Sequence, residues 1–235
     1  MVRNKFLCIF CFFCVLNFGF SEGKYSENPN NNCVISDKNH NNLVYTYTLD
    51  NSLIRNEYDS SKRLIKKIKW DMESETKVYE FNYTYKENSM FPFSCEAVYY
   101  WDSAKEIIYF WENGKEKKRE TYKNDEKYLE QYYEYNDSNQ LVYYSEKKFE
   151  TKNGENQILY STEVKYQYVE FESKFFTNEY HFSNGIKTRE KVYTSSTTYY
   201  ENNFFEDDIK IYSEYENSKK VLEITYFQNK EIKRR

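Results

Sequence analysis

Polar and apolar positions alternate from Leu43 to the end of the chain, in short runs separated by clusters of Asn, Asp and Ser. A period of two places successive side chains on opposite faces, which is the signature of a strand. Val78–Tyr85 (VYEFNYTY) is the clearest such run. In Leu64–Trp70, Leu64, Lys66, Ile68 and Trp70 share one face while Ile65, Lys67 and Lys69 share the other. Neither face is purely apolar, as expected where both sides of a sheet are partly wet. Ile158–Phe176 alternates without a strong breaker, which fits one long strand bent near Glu172–Ser173 or a hairpin with a weak turn. Pro92 cannot donate to a ladder, so Glu87–Ser94 reads as a loop or an edge. The turn spacing predicts an all-β fold, an antiparallel meander of about 14 strands that is largely single-layer or curled.

A repeated unit sets the turns. Trp111-x-Asn113, Tyr122-x-Asn124, Phe182-x-Asn184, Tyr200-x-Asn202, Tyr215-x-Asn217 and Phe227-x-Asn229 each place an aromatic residue two before an Asn. Asn tolerates positive φ and bonds its own backbone, so each of these Asn residues is expected at a reversal. Asn113-Gly114, Asn153-Gly154 and Asn184-Gly185 are strong two-residue hairpin signals. The closing hairpin pairs Ile209–Tyr215 with Val221–Phe227.

Composition sharpens this picture. The chain has 27 Tyr but only 5 Gly and 2 Pro, which removes a disordered reading despite 31% charged residues. Beyond Phe20 there are 42 aromatic residues and only 29 Leu, Ile and Val. Tyr and Trp have an apolar body and a polar tip, so they suit a thin sheet that is half buried and half wet. The net charge is −4, and −6 beyond residue 21, where 32 basic face 38 acidic residues. That balance lacks the electrostatic footprint of a nucleic-acid binder.

Residues 1–21 read as a signal peptide: Arg3 and Lys5, an apolar run from Phe6, then Gly19 and Ser21 at −3 and −1 before Glu22. The expectation is export to the periplasm, the outer surface or the medium. Phe10 before Cys11 and Phe13 before Cys14 argue against lipid anchoring, and no later stretch is apolar enough for membrane insertion. Residues 22–42 read as a flexible entry segment and 43–235 as one β-repeat domain. Cys33 and Cys95 are the only cysteines past the signal, and a disulfide between them and two separate thiols are both open.

Little chemistry can be assembled. His40 and His181 are the only histidines, and neither accompanies a nucleophile and an acid in sequence. Glu206, Asp207 and Asp208 read as a turn and a solvated strand start. No phosphate-cradling glycine loop or metal-ligand spacing is present, so no cofactor is expected.

Two resemblances attach to particular residues. Trp111–Gly114 with Lys115, Tyr122, Lys123 and Asn124 resembles the MORN-type repeat variant of bacterial antitoxin-like proteins. Tyr58-Asp59-Ser60-Ser61-Lys62-Arg63-Leu64 and Tyr135-Asn136-Asp137-Ser138-Asn139-Gln140-Leu141 resemble the tyrosine–aspartate repeats of Rhs and teneurin-type proteins. Both imply an antiparallel β-repeat sheet, often on secreted or surface proteins, and neither brings a catalytic residue set. The expected function is a non-enzymatic exported protein presenting aromatic side chains to a protein or glycan. The alternatives are an envelope immunity or antitoxin-like binder, or an enzyme with a cleft near Pro92 or Ser195–Thr198.

Overall fold

The computed structural model describes residues 42–48, 50–152 and 154–235, together with the backbone of 24–27 and 33–36. The strands are β1 (Lys24–Glu27), β2 (Cys33–Ser36), β3 (Leu43–Tyr47), β4 (Ser52–Tyr58), β5 (Leu64–Asp71), β6 (Thr76–Thr84), β7 (Ser94–Tyr99), β8 (Ala104–Phe110) and β9 (Glu116–Lys123). They continue as β10 (Glu126–Tyr135), β11 (Leu141–Lys152), β12 (Glu155–Phe171), β13 (Lys174–Ser183), β14 (Ile186–Tyr193), β15 (Thr198–Phe204), β16 (Ile209–Glu216), β17 (Lys219–Phe227) and β18 (Lys230–Arg234). Among the described residues a single 3-10 turn, Glu206–Asp208, interrupts the strands.

The chain divides within β9 into two compact units. The first ends at Glu116 and includes Thr121–Asp125; the second is Lys117–Glu120 with Glu126–Arg235. In the first unit β1 to β8 pair antiparallel in chain order. In the second, β10 to β18 do the same. Substantial contact within each unit joins only strands adjacent in sequence, so each is a single-layer meander that does not close into a barrel. Within the 22–42 stretch, β1 pairs with β2 and β2 with β3. Residues 1–21, with the expected signal peptide, lie outside the described residues, as does His40.

A sheet without a covering layer must bury side chains sideways, against neighbours on the same face. The first unit still gathers small apolar patches: Tyr45, Leu53 and Ile68 on one face, and Cys95, Ala97, Ala104 and Ile108 on the other. Tyr79, Phe81 and Tyr99 roof the second patch, with Phe81 at 4.8 Å from Tyr79 and 6.0 Å, edge-on, from Tyr99.

The second unit solves the problem differently. Among its described residues Glu120, Asn178, Asn202, Ser213 and Ile224 are buried, and of these only Ile224 is apolar. Asn178 is buried because its Oδ1 accepts the Tyr193 amide at 2.8 Å, in place of a ladder bond. Lys118 and Lys127 alternate with Glu120 and Glu130 in a closed ring of ion pairs of 2.5–3.1 Å. Five rings run across β12 to β16: Phe171, Phe176, Tyr193, Tyr199 and Tyr215, with successive centroids 6.0, 4.8, 5.1 and 4.6 Å apart. The Lys191 ammonium lies 5.1 and 4.5 Å from the Tyr193 and Tyr199 centroids. At about 0.5–1.5 kcal/mol per aromatic pair, this row contributes a gross ~2–6 kcal/mol, comparable with the net stability of a domain.

Two turn geometries connect the strands. In the first, the residue entering the turn donates to the carbonyl four residues on, and the residue three on donates back to it. Thr48, Asp59, Trp111 and Asn136 enter such turns. Asn51, Lys62, Gly114 and Asn139 occupy their left-handed position, with φ of 60°, 63°, 80° and 61°. This is a type I turn followed by a one-residue bulge. The Asp59 and Asn136 side chains also accept the amides of Arg63 and Gln140, each at 2.9 Å. The two tyrosine–aspartate-like segments thus fold alike. In the second geometry both central residues have positive φ, as at Asn184–Gly185 (49°, 79°) and Asn217–Ser218 (48°, 64°). Glu172–Ser173 (51°, 61°) and Gln228–Asn229 (48°, 62°) adopt it too, so Ile158–Phe176 is broken into a hairpin, and β18 follows the hairpin expected to close the chain.

Asn202 corrects the reading of the repeat. It sits inside β15, paired with Tyr212, and its side chain is buried, donating to Glu190 Oε1 at 2.7 Å. The reversal falls instead at Glu206–Asp208, because Phe204 and Phe205 favour continued strand.

Two stability changes follow from the turns. Gly114 has φ +80°, and a Cβ there would lie 2.4 Å from the Phe91 ring. Gly114→Ala is expected to cost about 1–3 kcal/mol in urea denaturation. Ser218 holds φ 64° beside Asn217, and Ser218→Gly creates the Asn-Gly pair suited to this turn. It should stabilise the chain by about 0.5–1 kcal/mol in the same measurement.

Candidate functional site

The site with the most chemistry in the structure is built on the β7–β8 turn of the first unit. β7 ends at Tyr99, and residues 100–103 make the turn, with Ser103 at φ 55° and Asp102 Oδ1 accepting the Ala104 amide at 3.1 Å. Trp101 is therefore at the turn and 63% exposed, with Tyr100 beside it at 46%. Tyr99 backs the indole at 4.9 Å, and its hydroxyl reaches Glu106 Oε2 at 3.2 Å. The Lys77 ammonium lies 5.5 Å from the Tyr100 centroid, and the Tyr100 hydroxyl lies 3.4 Å from Glu80 Oε2.

Glu80 is the electrostatic anchor. It pairs with Lys66 at 2.7 Å and Lys77 at 2.8 Å, and Asn82 donates to it at 3.4 Å. Burial works to raise its pKa, but the bonds from Lys66, Lys77 and Asn82 outweigh that and take the carboxyl down to about 2. The hydrogen bond to Glu80 likewise outweighs burial and raises the pKa of Lys77. Open depressions flank the turn. One of about 740 Å³ is lined by Asp71, Thr76, Lys77, Val78, Tyr100 and Trp101. The other, of about 530 Å³, includes Tyr100, Ser103, Lys105, Asn124 and Asp125.

At the opposite end of β7, the connection containing Pro92 displays Met90 (74% exposed) and Phe91. It is held by Arg63, which donates to Ser89 O at 2.9 Å, stacks 4.7 Å over Tyr85 and pairs with Asp59 at 2.7 Å.

The residues singled out from sequence are dispersed. Asn113 accepts the Lys115 amide at 3.1 Å, within the Gly114 turn. Asn124, Asn184–Gly185, Asn217 and Asn229 all sit in turns with positive φ. Cys95 is a free, buried thiol, and burial first of all pushes its pKa up to about 12. Cys33 lies in β2, separated from β7 by β3 to β6, and its side chain lies outside the described residues. His181 Nε2 lies 3.1 Å from Glu179 Oε2 on the surface of β13. Ser195–Thr198 forms a tight turn in which Ser196 donates to Glu172 at 2.7 Å and the Thr197 carbonyl accepts the Asn217 amide at 2.8 Å. Three turns are thereby tied together at one rim of the second unit. Among the described residues no group of three or more His, Cys, Asp or Glu could hold a metal ion, and no helix is long and apolar enough to cross a membrane.

Sequence reasoning passed over Trp101, Tyr100 and Glu80. The available signal was the order Tyr99-Tyr100-Trp101-Asp102-Ser103, where two large rings precede an Asp-Ser turn.

No family profile matches the chain, and no curated protein matches it. Among solved structures it is similar to a chain of the Photorhabdus luminescens Tc holotoxin pore carrying the TccC3-D651A mutation, at 8% identity and a TM-score of 0.29. The match covers 86% of this chain and 15% of that one.

The Glu80 pairing predicts an acid-sensitive contribution to stability. Its folded pKa of about 2 lies below the ordinary 4.5, so the contribution is complete above about pH 4.5 and is lost as pH falls toward 2. Glu80→Gln should therefore be less stable than the native chain near neutral pH, and the two should converge as the pH falls, in urea titrations at successive pH values.

Proposed function

We propose that this chain is an exported, non-catalytic binding protein that uses a stiff, aromatic-rich sheet to present side chains to a protein or glycan partner. The observation that carries this reading is the exposure of Trp101 and Tyr100 on a turn that Tyr99, Lys77 and Glu80 hold in place. Large rings exposed on a fixed support have the character of binding hot spots, because little ordering entropy remains to be lost on association. The export signal read at residues 1–21 supports a partner outside the cytoplasm.

The test is affinity capture from a solubilised cell envelope, using immobilised protein that begins at Glu22. A partner should be retained by the native chain and by His181→Ala, and lost with Trp101→Ser. Equal retention by Trp101→Ser, or a substrate turned over in a His181-dependent way, would overturn the reading.

A further inference from the structure

We infer that the β7–β8 turn is a saccharide-binding site, and that its ligand is a neutral oligosaccharide laid across the turn with one pyranose stacked on Trp101. This rests on the binding role proposed above and names the ligand class for it. An exposed indole offers a flat apolar surface, which suits the C–H face of a sugar ring and is costly to leave in water. The surrounding groups are hydrogen-bonding ones. Asp71 and Thr76 line the depression on one side, and Ser103, Asn124 and Asp125 line the one on the other. A wholly apolar ligand would leave these groups desolvated and unpaired.

Charge narrows the ligand further. Three lysines near the site are paired with two carboxylates: Lys66 and Lys77 share Glu80 at 2.7 and 2.8 Å, and Lys105 meets Glu96 at 2.6 Å. Asp71, Asp102 and Asp125 add three carboxylates, Asp125 also acting on Lys105, so an anionic ligand would meet net negative charge. Sugar hydroxyls can donate to these carboxylates. The Asp71 carboxylate is already oriented, because its Oδ1 accepts the amides of Glu73 at 2.8 Å and Ser74 at 3.2 Å. The rings are equally fixed, with Trp101 backed by Tyr99, and Tyr99 set edge-on to Phe81. A depression on each side of one aromatic platform fits a chain of sugars better than a single residue, since successive units can occupy both.

The experiment is a titration of the full chain with cellohexaose, chitohexaose, maltohexaose and mannohexaose, followed by calorimetry and tryptophan fluorescence, with polygalacturonate as the anionic comparison. At least one neutral hexasaccharide should bind saturably, with an affinity insensitive to added salt. Trp101→Ala should weaken that binding by about tenfold or more, Asp71→Asn should weaken it severalfold, and Phe175→Ala, an exposed ring in the second unit, should leave it unchanged. An unaltered thermal midpoint for Trp101→Ala separates lost contact from lost fold. Binding that survives Trp101→Ala, or binding of polygalacturonate alone, would overturn the inference. Absence of saccharide binding alongside Trp101-dependent capture of a protein overturns this inference and leaves the binding role standing. Absence of both overturns the two together.

Discussion

A sheet one layer thick has no opposing layer against which to bury its side chains. Every apolar atom removed from water must be covered by a neighbour on the same face, across one strand spacing of about 4.8 Å. Aliphatic side chains cover less area across that gap than aromatic rings do. Tyr and Phe reach the next strand with their rings, and Lys and Glu lay their methylene stems over the backbone while keeping their charges wet. The row from Phe171 to Tyr215, with Lys191 lying over two of its rings, is this arrangement in its most continuous form. The excess of aromatic over aliphatic residues is therefore a consequence of geometry.

The same constraint explains the polar interior of the second unit. Its buried positions are roofed by side chains from the strands alongside, which bring polar partners to buried Asn and Glu, although the Oδ1 of Asn202 is left without one. Glu120 finds Lys118 and Lys127, Asn202 finds Glu190, and Asn178 caps the Tyr193 amide. In a thick core those groups would be costly, because no partner would lie at hand. The first unit keeps a few apolar patches, and there a free thiol, Cys95, can be buried out of chemical reach.

Turns then decide where function can reside. Most reversals are closed by backbone and Asx bonds and display polar residues. The β7–β8 turn departs from this by carrying Tyr100 and Trp101, and the Pro92 connection departs by carrying Met90 and Phe91. Both are braced by charged side chains, Lys77 with Glu80 in one case and Arg63 with Asp59 in the other. Such bracing lets an apolar ring face water without the turn collapsing onto the sheet.

The period-two alternation and the lack of glycine and proline determined the all-β meander, because strand patterning is local and is set by neighbouring residues alone. Asn-Gly at 113–114 and 184–185 was legible for the same reason: positive φ is a property of the residue. Asn229 was legible in the same way, whereas Glu172–Ser173 left a bend and a hairpin both open, since Glu and Ser enter the left-handed region only because the flanking strands pair and impose it. Asn202 was misplaced by the converse effect, where pairing with Tyr212 and a bond to Glu190 outweigh a local preference for a turn. The division into two units within β9, the roofing of Cys95, and the convergence of Lys66, Lys77 and Tyr100 on Glu80 join residues from different strands. Only the register between strands brings them together, and register is a property of the assembled sheet.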